Sequence, residues 1–206
     1  MSDTETVISL KQLEEIYGPV NPNSLAKEVT SLNETYRKWL EKSPFFAIAS
    51  GSSQGFDCSP RGDKKGQLFR VLDNNTLAIP DRRGNNRIDT LKNIVENPRV
   101  GLMFMLPGIN ETLRINGDAH LTTNAALLES FAVDGKAPTT VILVTITAVY
   151  FQCARALIRS ELWNPVFFSH KSDVPTAGQM TKSALADFDD AQYDAELPNR
   201  QKSTLY

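Results

Sequence analysis

From Ser24 the apolar positions Leu25, Val29, Leu32, Tyr36 and Leu40 recur at spacings of four and three, which is one face of a helix that Ser43-Pro44 ends. Upstream, Leu10, Leu13, Ile16 and Tyr17 read as a shorter helix stopped by Gly18. Together they predict a helical N-terminal cap over residues 1–43. After Pro44 the period changes: short apolar runs over 45–49, 67–72, 76–80, 100–106, 113–121 and 140–153 predict six strands. They are separated by Asp73-Asn74-Asn75, Pro107-Gly108-Ile109-Asn110 and Asp134-Gly135-Lys136-Ala137-Pro138, which are turn compositions. Two helical segments interrupt them, over 89–97, with Leu91, Ile94 and Val95 on its inner side and Pro98 as a stop, and over 124–133. Six short strands at this spacing favour a barrel or sandwich over a parallel sheet, so the fold class is mainly β with flanking helices. The stretch from Ser172 to Tyr206 is polar and acidic, and is expected to fray or to order only against another surface such as a partner subunit.

Length and composition narrow the function classes. A chain of 206 residues is sized for one domain, here a cap over 1–43, a barrel core over 44–163 and a polar tail over 164–206. Its 22 basic and 24 acidic residues nearly balance, so no global field draws it to nucleic acid or to a lipid surface, and any anion site must be local. No window approaches the roughly 18 to 20 apolar residues of a membrane span. Met1-Ser2-Asp3-Thr4-Glu5-Thr6 is acidic where a secretory leader would be basic, and a cytoplasmic protein is expected. Cys58 and Cys153 stand far apart without a CxxC or Cys/His cluster, and His120 and His170 are the two histidines. Neither a disulfide framework, a metal site nor a Ser/His/Asp triad is expected, which leaves the chemistry to a bound cofactor.

The segment richest in candidate chemistry is Ile79-Pro80-Asp81-Arg82-Arg83-Gly84-Asn85-Asn86-Arg87, which leads straight into the helix predicted from Asp89. Three arginines, a glycine and two asparagines before a helix N-terminus are the parts from which a phosphate site is made. A solvated arginine-rich turn has the same composition. Upstream, in Cys58-Ser59-Pro60-Arg61-Gly62-Asp63, Arg61 stands near the end of an expected strand and either reaches the same phosphate or pairs with Asp63 or Asp81. Further on, Arg155 and Arg159 fall four apart on one helix face with Trp163 a turn beyond. That stripe lines a nucleotide edge or makes a cation–π pair at a packing interface.

The order of these segments resembles the pyridoxamine 5'-phosphate oxidase-like FMN-binding proteins. The resemblance runs from near Phe45 to Trp163: a strand bearing arginine, a hairpin, the arginine loop, a helix closing in Glu96-Asn97-Pro98-Arg99-Val100, then Gly101-Leu102-Met103-Phe104 and Arg114-Ile115-Asn116-Gly117-Asp118-Ala119. Ser59-Pro60-Arg61-Gly62-Asp63, the arginine loop and Arg159-Ser160-Glu161-Leu162-Trp163 are similar to a bacterial subgroup of FMN-dependent proteins without an assigned substrate. The resemblance implies a six-stranded split β-barrel and a homodimer holding FMN in a groove between subunits.

It also implies site residues. Arg61 corresponds to the first-strand arginine, and Ile79 with Pro80 to the hairpin pair whose backbone meets the isoalloxazine. Arg87, with Arg82, Arg83, Asn85 and Asn86 near it, corresponds to the phosphate-binding basic pair. Thr112 falls where a polar side chain contacts the flavin, and Gln152 where the other subunit supplies a tryptophan; Arg159 and Trp163 complete the set. The loop is about four residues longer than the family's, which leaves open which arginine meets phosphate. The oxidase's C-terminal substrate-phosphate run is absent, against pyridoxamine phosphate as substrate. The implied function is an FMN-dependent oxidoreductase acting on a small molecule or a quinone-like acceptor, with no catalytic side chain required. The alternatives are a flavin- or haem-binding module without turnover, in which His120 or His170 would be the haem ligand, and a deazaflavin-using reductase.

Overall fold

The structure is a computed structural model and describes residues 6–7 and 9–206. The acidic stretch over residues 1–5 lies outside the described residues.

Seven strands form one antiparallel sheet: β1 (Phe45–Ser52), β2 (Gly55–Gly62), β3 (Arg70–Asp73), β4 (Thr76–Pro80), β5 (Arg99–Met105), β6 (Thr112–Thr122) and β7 (Val141–Gln152), in the order β2-β1-β5-β6-β7-β4-β3. The count exceeds the six apolar runs by β2, the strand expected to end near Arg61. This edge strand carries Pro60 and leaves every second residue exposed, so it shows no apolar alternation to read, and an edge is where a strand tolerates proline. It pairs with β1 from Phe45↔Gly62 to Ser52↔Gly55.

No backbone ladder joins the outer strands β2 and β3. Side chains draw the two flanks of the curled sheet together instead: Asp63, just past β2, meets Arg82, just past β4, with Oδ2 and Nε 3.0 Å apart. This is a split-barrel-like open sheet whose two flanks are linked by polar side chains. Its interior is filled by Phe46, Ile48, Leu77, Ile79, Leu102, Phe104, Ile115, Ile142 and Val149. Close approach inside it requires glycine at 117, where the β6–β7 register shifts. A Cβ there would stand 2.3 Å from the Thr145 carbonyl oxygen.

The helices are α1 (Leu10–Tyr17), α2 (Pro22–Ala26), α3 (Glu34–Leu40), α4 (Asp89–Glu96), α5 (Ala125–Ser130), α6 (Arg155–Arg159), α7 (Ala177–Ala184) and α8 (Asp190–Ser203). The single helix expected from Ser24 to Leu40 is a correction: it is two helices with extended chain between. Asn33 starts the second by accepting from the Tyr36 N–H at 2.8 Å, an N-cap preference that competes with continuing the first. Between them Val29 bridges to Val149 and the Leu32 N–H donates to the Asn74 carbonyl, so Leu32 is buried against the sheet rather than along a helix face.

The stretch from Ser172 to Tyr206 forms two helices rather than fraying. Helices α7 and α8 fasten to each other through polar contacts: the Gly178 N–H and the Thr176 hydroxyl both donate to Asp194, and Lys182 pairs with Asp190 at 2.6 Å.

Candidate functional site

Along the barrel seam runs a groove of about 890 Å³ whose walls are the end of β2, the loop after β4, the first turn of α4 and the loop before β7. Eight of the twelve residues expected at the site line it: Arg61, Ile79, Pro80, Arg82, Arg83, Asn85, Asn86 and Arg87. Ile79 and Pro80 are buried and held in register against Ile142 and Val141 of β7, which fixes where the loop begins.

The four arginines have different fates. Arg82 is tied to the protein: Nε donates to Asp63 Oδ2 at 3.0 Å, Nη1 to the Phe131 carbonyl at 2.8 Å, and Nη2 to the Gln67 carbonyl at 3.2 Å. Arg61 lies 3.8 Å from Asp81, one of the two outcomes its sequence neighbourhood left open, and its Nη1 donates to the Pro60 carbonyl. Arg87 pairs with Asp89 at 2.8 Å while its side chain stays 78% exposed. Arg83 is exposed and has no hydrogen bond or ion pair among the described residues.

Beyond these cations the backbone leading into α4 is held in left-handed conformations. The residue before α4, Ile88, sits at φ 51° and offers no side-chain cap, so the first N–H groups of α4 have no capping acceptor from it. Asn86 is also left-handed at φ 60°. A β-branched residue at positive φ is costly and persists where the surroundings hold it. The loop is braced from within by the Arg87 N–H, which donates to Asn85 Oδ1 at 3.1 Å. Across the groove the Thr90 and Ser59 hydroxyls donate to one oxygen of Asp57, which anchors α4 to β2.

Two groups here are shifted. Burial pushes the Asp81 carboxyl above the ordinary carboxylate range, and the neighbouring Arg61 only partly restores it. The Tyr206 phenol is pushed up, chiefly because it donates to the Asp63 carboxylate.

The other four expected residues stand elsewhere. Thr112 is paired with Gln152 at the end of β7 opposite Pro80. The twelve residues of β7 amount to about 36 Å of extended chain, so the two groups face different ends of the sheet. The Thr112 hydroxyl is buried without a hydrogen-bond partner. Trp163 corrects the expected arginine–tryptophan stripe: α6 ends at Arg159, Glu161 turns the chain at φ 48°, and the Trp163 indole N–H donates to the Ile109 carbonyl at 2.9 Å. His120 and His170 are exposed and do not line the groove.

A family model described as pyridoxamine 5'-phosphate oxidase matches residues 32–153. The chain belongs to the pyridoxamine 5'-phosphate oxidase family. The matched span of this oxidase-family chain takes in all seven strands and the arginine loop. Its structure is similar to HupZ of Group A Streptococcus, with 15% identity over 57% of this chain and 91% of the other and a TM-score of 0.47. It is likewise similar to an FAD binding protein from Mycobacterium smegmatis, with 16% identity over 60% of this chain and 97% of the other and a TM-score of 0.42. No curated protein sequence matches it.

Three groove residues had no signal in the sequence. Lys136 reads only as part of a turn. Asp63 reads only as a possible surface partner of Arg61, yet its side chain is 2% exposed. Tyr206 reaches the groove from 143 positions away, donating to Asp63 Oδ1 at 2.7 Å, and nothing local marks it.

Proposed function

We propose that the seam groove binds FMN and that the protein is an FMN-dependent oxidoreductase of this family, acting as a homodimer on a small-molecule substrate or electron acceptor. The observation that carries the reading is the unpaired Arg83 beside an uncapped α4 in a loop held at two positive-φ positions. A cation without a partner and free helical N–H groups fit a phosphate monoester better than any neutral ligand.

In this reading Arg83, Arg87 and the first turn of α4 hold the phosphoryl end. Ile79 and Pro80, locked by β7, present a dry edge to the ring system, and Arg61 lies at the side of the groove with its charge tempered by Asp81. Arg82 is left out of direct contact, because its donors are committed to Asp63, Phe131 and Gln67. A bound flavin supplies hydride and single-electron chemistry itself. The residues of the chain bind, orient and exclude water, and none is required to move a proton.

Support for the dimer comes from the four expected site residues that lie outside the groove. Thr112, Gln152, Arg159 and Trp163 cannot reach the groove of their own chain, whereas a two-fold partner brings one chain's distal end against the other's groove and completes two sites at once. The unpartnered Thr112 hydroxyl has an acceptor or donor to find there.

The absorption spectrum of the freshly purified protein tests the cofactor: flavin bands are expected, and an intense Soret band in their place overturns it. Reduction of bound flavin by NADH or NADPH, followed by reoxidation with air or a dye, is expected of an enzyme; a flavin that stays oxidised means a passive binder. Light scattering is expected to give a dimer, and a monomer that retains flavin removes the interface.

A further inference from the structure

We propose that the seat of Tyr206 in the groove is a subsite for a phenolic ring, filled in this structure by the chain's own tyrosine. The seat has three parts. The phenol donates to Asp63 Oδ1 at 2.7 Å, the ring lies over the Arg82 guanidinium at 5.5 Å, and Lys136 Nζ donates to the Tyr206 carbonyl oxygen at 3.0 Å.

Two of these parts exist without the tyrosine. Asp63 and Arg82 are fixed by each other, by the Lys64 N–H on Asp63, and by the Phe131 and Gln67 carbonyls on Arg82. Asp63 keeps acceptor capacity after those bonds, and with Tyr206 seated its side chain is 2% exposed, so an occupant that closes the seat without bringing a donor leaves that acceptor unfilled. The seat therefore selects a donor on a ring: a hydroxyl for Asp63 and a π-face for Arg82. A benzoate-like ring meets the same carboxylate with repulsion, and a plain hydrocarbon leaves it unsatisfied.

The occupant is also displaceable. Tyr206 carries the ties that hold its segment to the groove, while the helices before it are fastened to each other. Because the seat shares the groove with Arg83 and Arg87, a hydroxylated aromatic that displaces Tyr206 lies beside whatever those arginines hold. This deepens the FMN reading by assigning the substrate side of the groove to phenols and hydroquinones, but the seat itself rests only on protein contacts.

The probes are 4-methylphenol and toluene, titrated by calorimetry into the flavin-free wild-type protein, Tyr206→Phe and Tyr206→Ala. The phenol is expected to bind Tyr206→Ala at least about tenfold more tightly than wild type, and about tenfold more tightly than toluene binds the same variant, the worth of one hydrogen bond to a charged group. Tyr206→Phe, which keeps the ring and loses its hydroxyl tie, is expected to fall between. Should Tyr206→Ala fail to fold, Tyr206→Phe binding the phenol no better than wild type overturns the proposal. Equal affinity for phenol and toluene in Tyr206→Ala overturns it as well. FMN titrated into the same proteins is read separately: loss of FMN binding with phenol binding intact sinks the cofactor reading and leaves this subsite standing.

Discussion

Arg82 and Arg83 are neighbours in one loop, yet they are opposites. The first is 18% exposed and donates to a buried carboxylate and two backbone carbonyls that belong to other segments. The second is exposed and has no partner among the described residues. The difference teaches that a run of arginines is not one site. One member ties the flanks of the sheet together as a structural cation, while its neighbour stays exposed in the groove.

The most severe way to break this contrast is Arg82→Ala. It strands Asp63 and should cost about 3 to 5 kcal/mol of stability, the range for removing one partner of a buried pair. Arg83→Ala should stay within about 0.5 kcal/mol of wild type. Urea unfolding of the two variants measures both, and equal losses would show that the partition is wrong. Next comes Arg83→Ala combined with Arg87→Ala. Here folding should be unaffected while FMN affinity falls by about 3 kcal/mol, since charge-assisted hydrogen bonds contribute about 1.5 to 3 kcal/mol each. Unchanged flavin retention through gel filtration would refute the phosphate assignment.

A smaller effect concerns Asp81 and Arg61. Burial raises the Asp81 carboxyl in the folded state, so the folded protein holds a proton more readily than the unfolded chain. The stability from this group is present at acid pH and is lost as pH rises through the raised folded value. Ionised Asp81 also tempers Arg61 and adds negative charge beside the site. Asp81→Asn should therefore bind FMN a few-fold more tightly than wild type at neutral pH, on the order of 1 kcal/mol or less. The ratio of the two affinities should approach one as pH falls through the Asp81 titration, a comparison in which the flavin's own phosphate ionisation cancels. A ratio independent of pH would separate Asp81 from the site. The smallest effect is expected of Thr112→Val, which removes a buried hydroxyl without a partner. Flavin-free stability should change by less than about 0.5 kcal/mol or rise, while FMN affinity falls if a partner subunit's Thr112 touches the ring. Thermal melts with and without FMN separate the two.

Much of this molecule was legible along the chain. Six of the seven strands announce themselves because one face of each must be apolar, and α4 does so through Leu91, Ile94 and Pro98, although Val95, expected on its inner side, is exposed. The arginine loop was legible as a candidate because glycine, asparagine and arginine before a helix are what an anion site is made of. What stayed hidden was nonlocal. The place of β2 at the sheet edge is one such case, because edge residues need not alternate, and the break between α2 and α3 depends on Leu32 and Val29 finding the sheet.

The sequence by itself determined the strand and helix inventory and the place of the cationic loop, because those depend on neighbours within a few residues. Only the tertiary structure decided which arginine is spent on Asp63 and which is free, and that Tyr206 lies in the groove. It also sent Thr112 and Gln152 to the far end of the sheet. Each of these is a contact between segments tens to more than a hundred residues apart, and no local composition encodes which distant carbonyl or carboxylate a given side chain will meet.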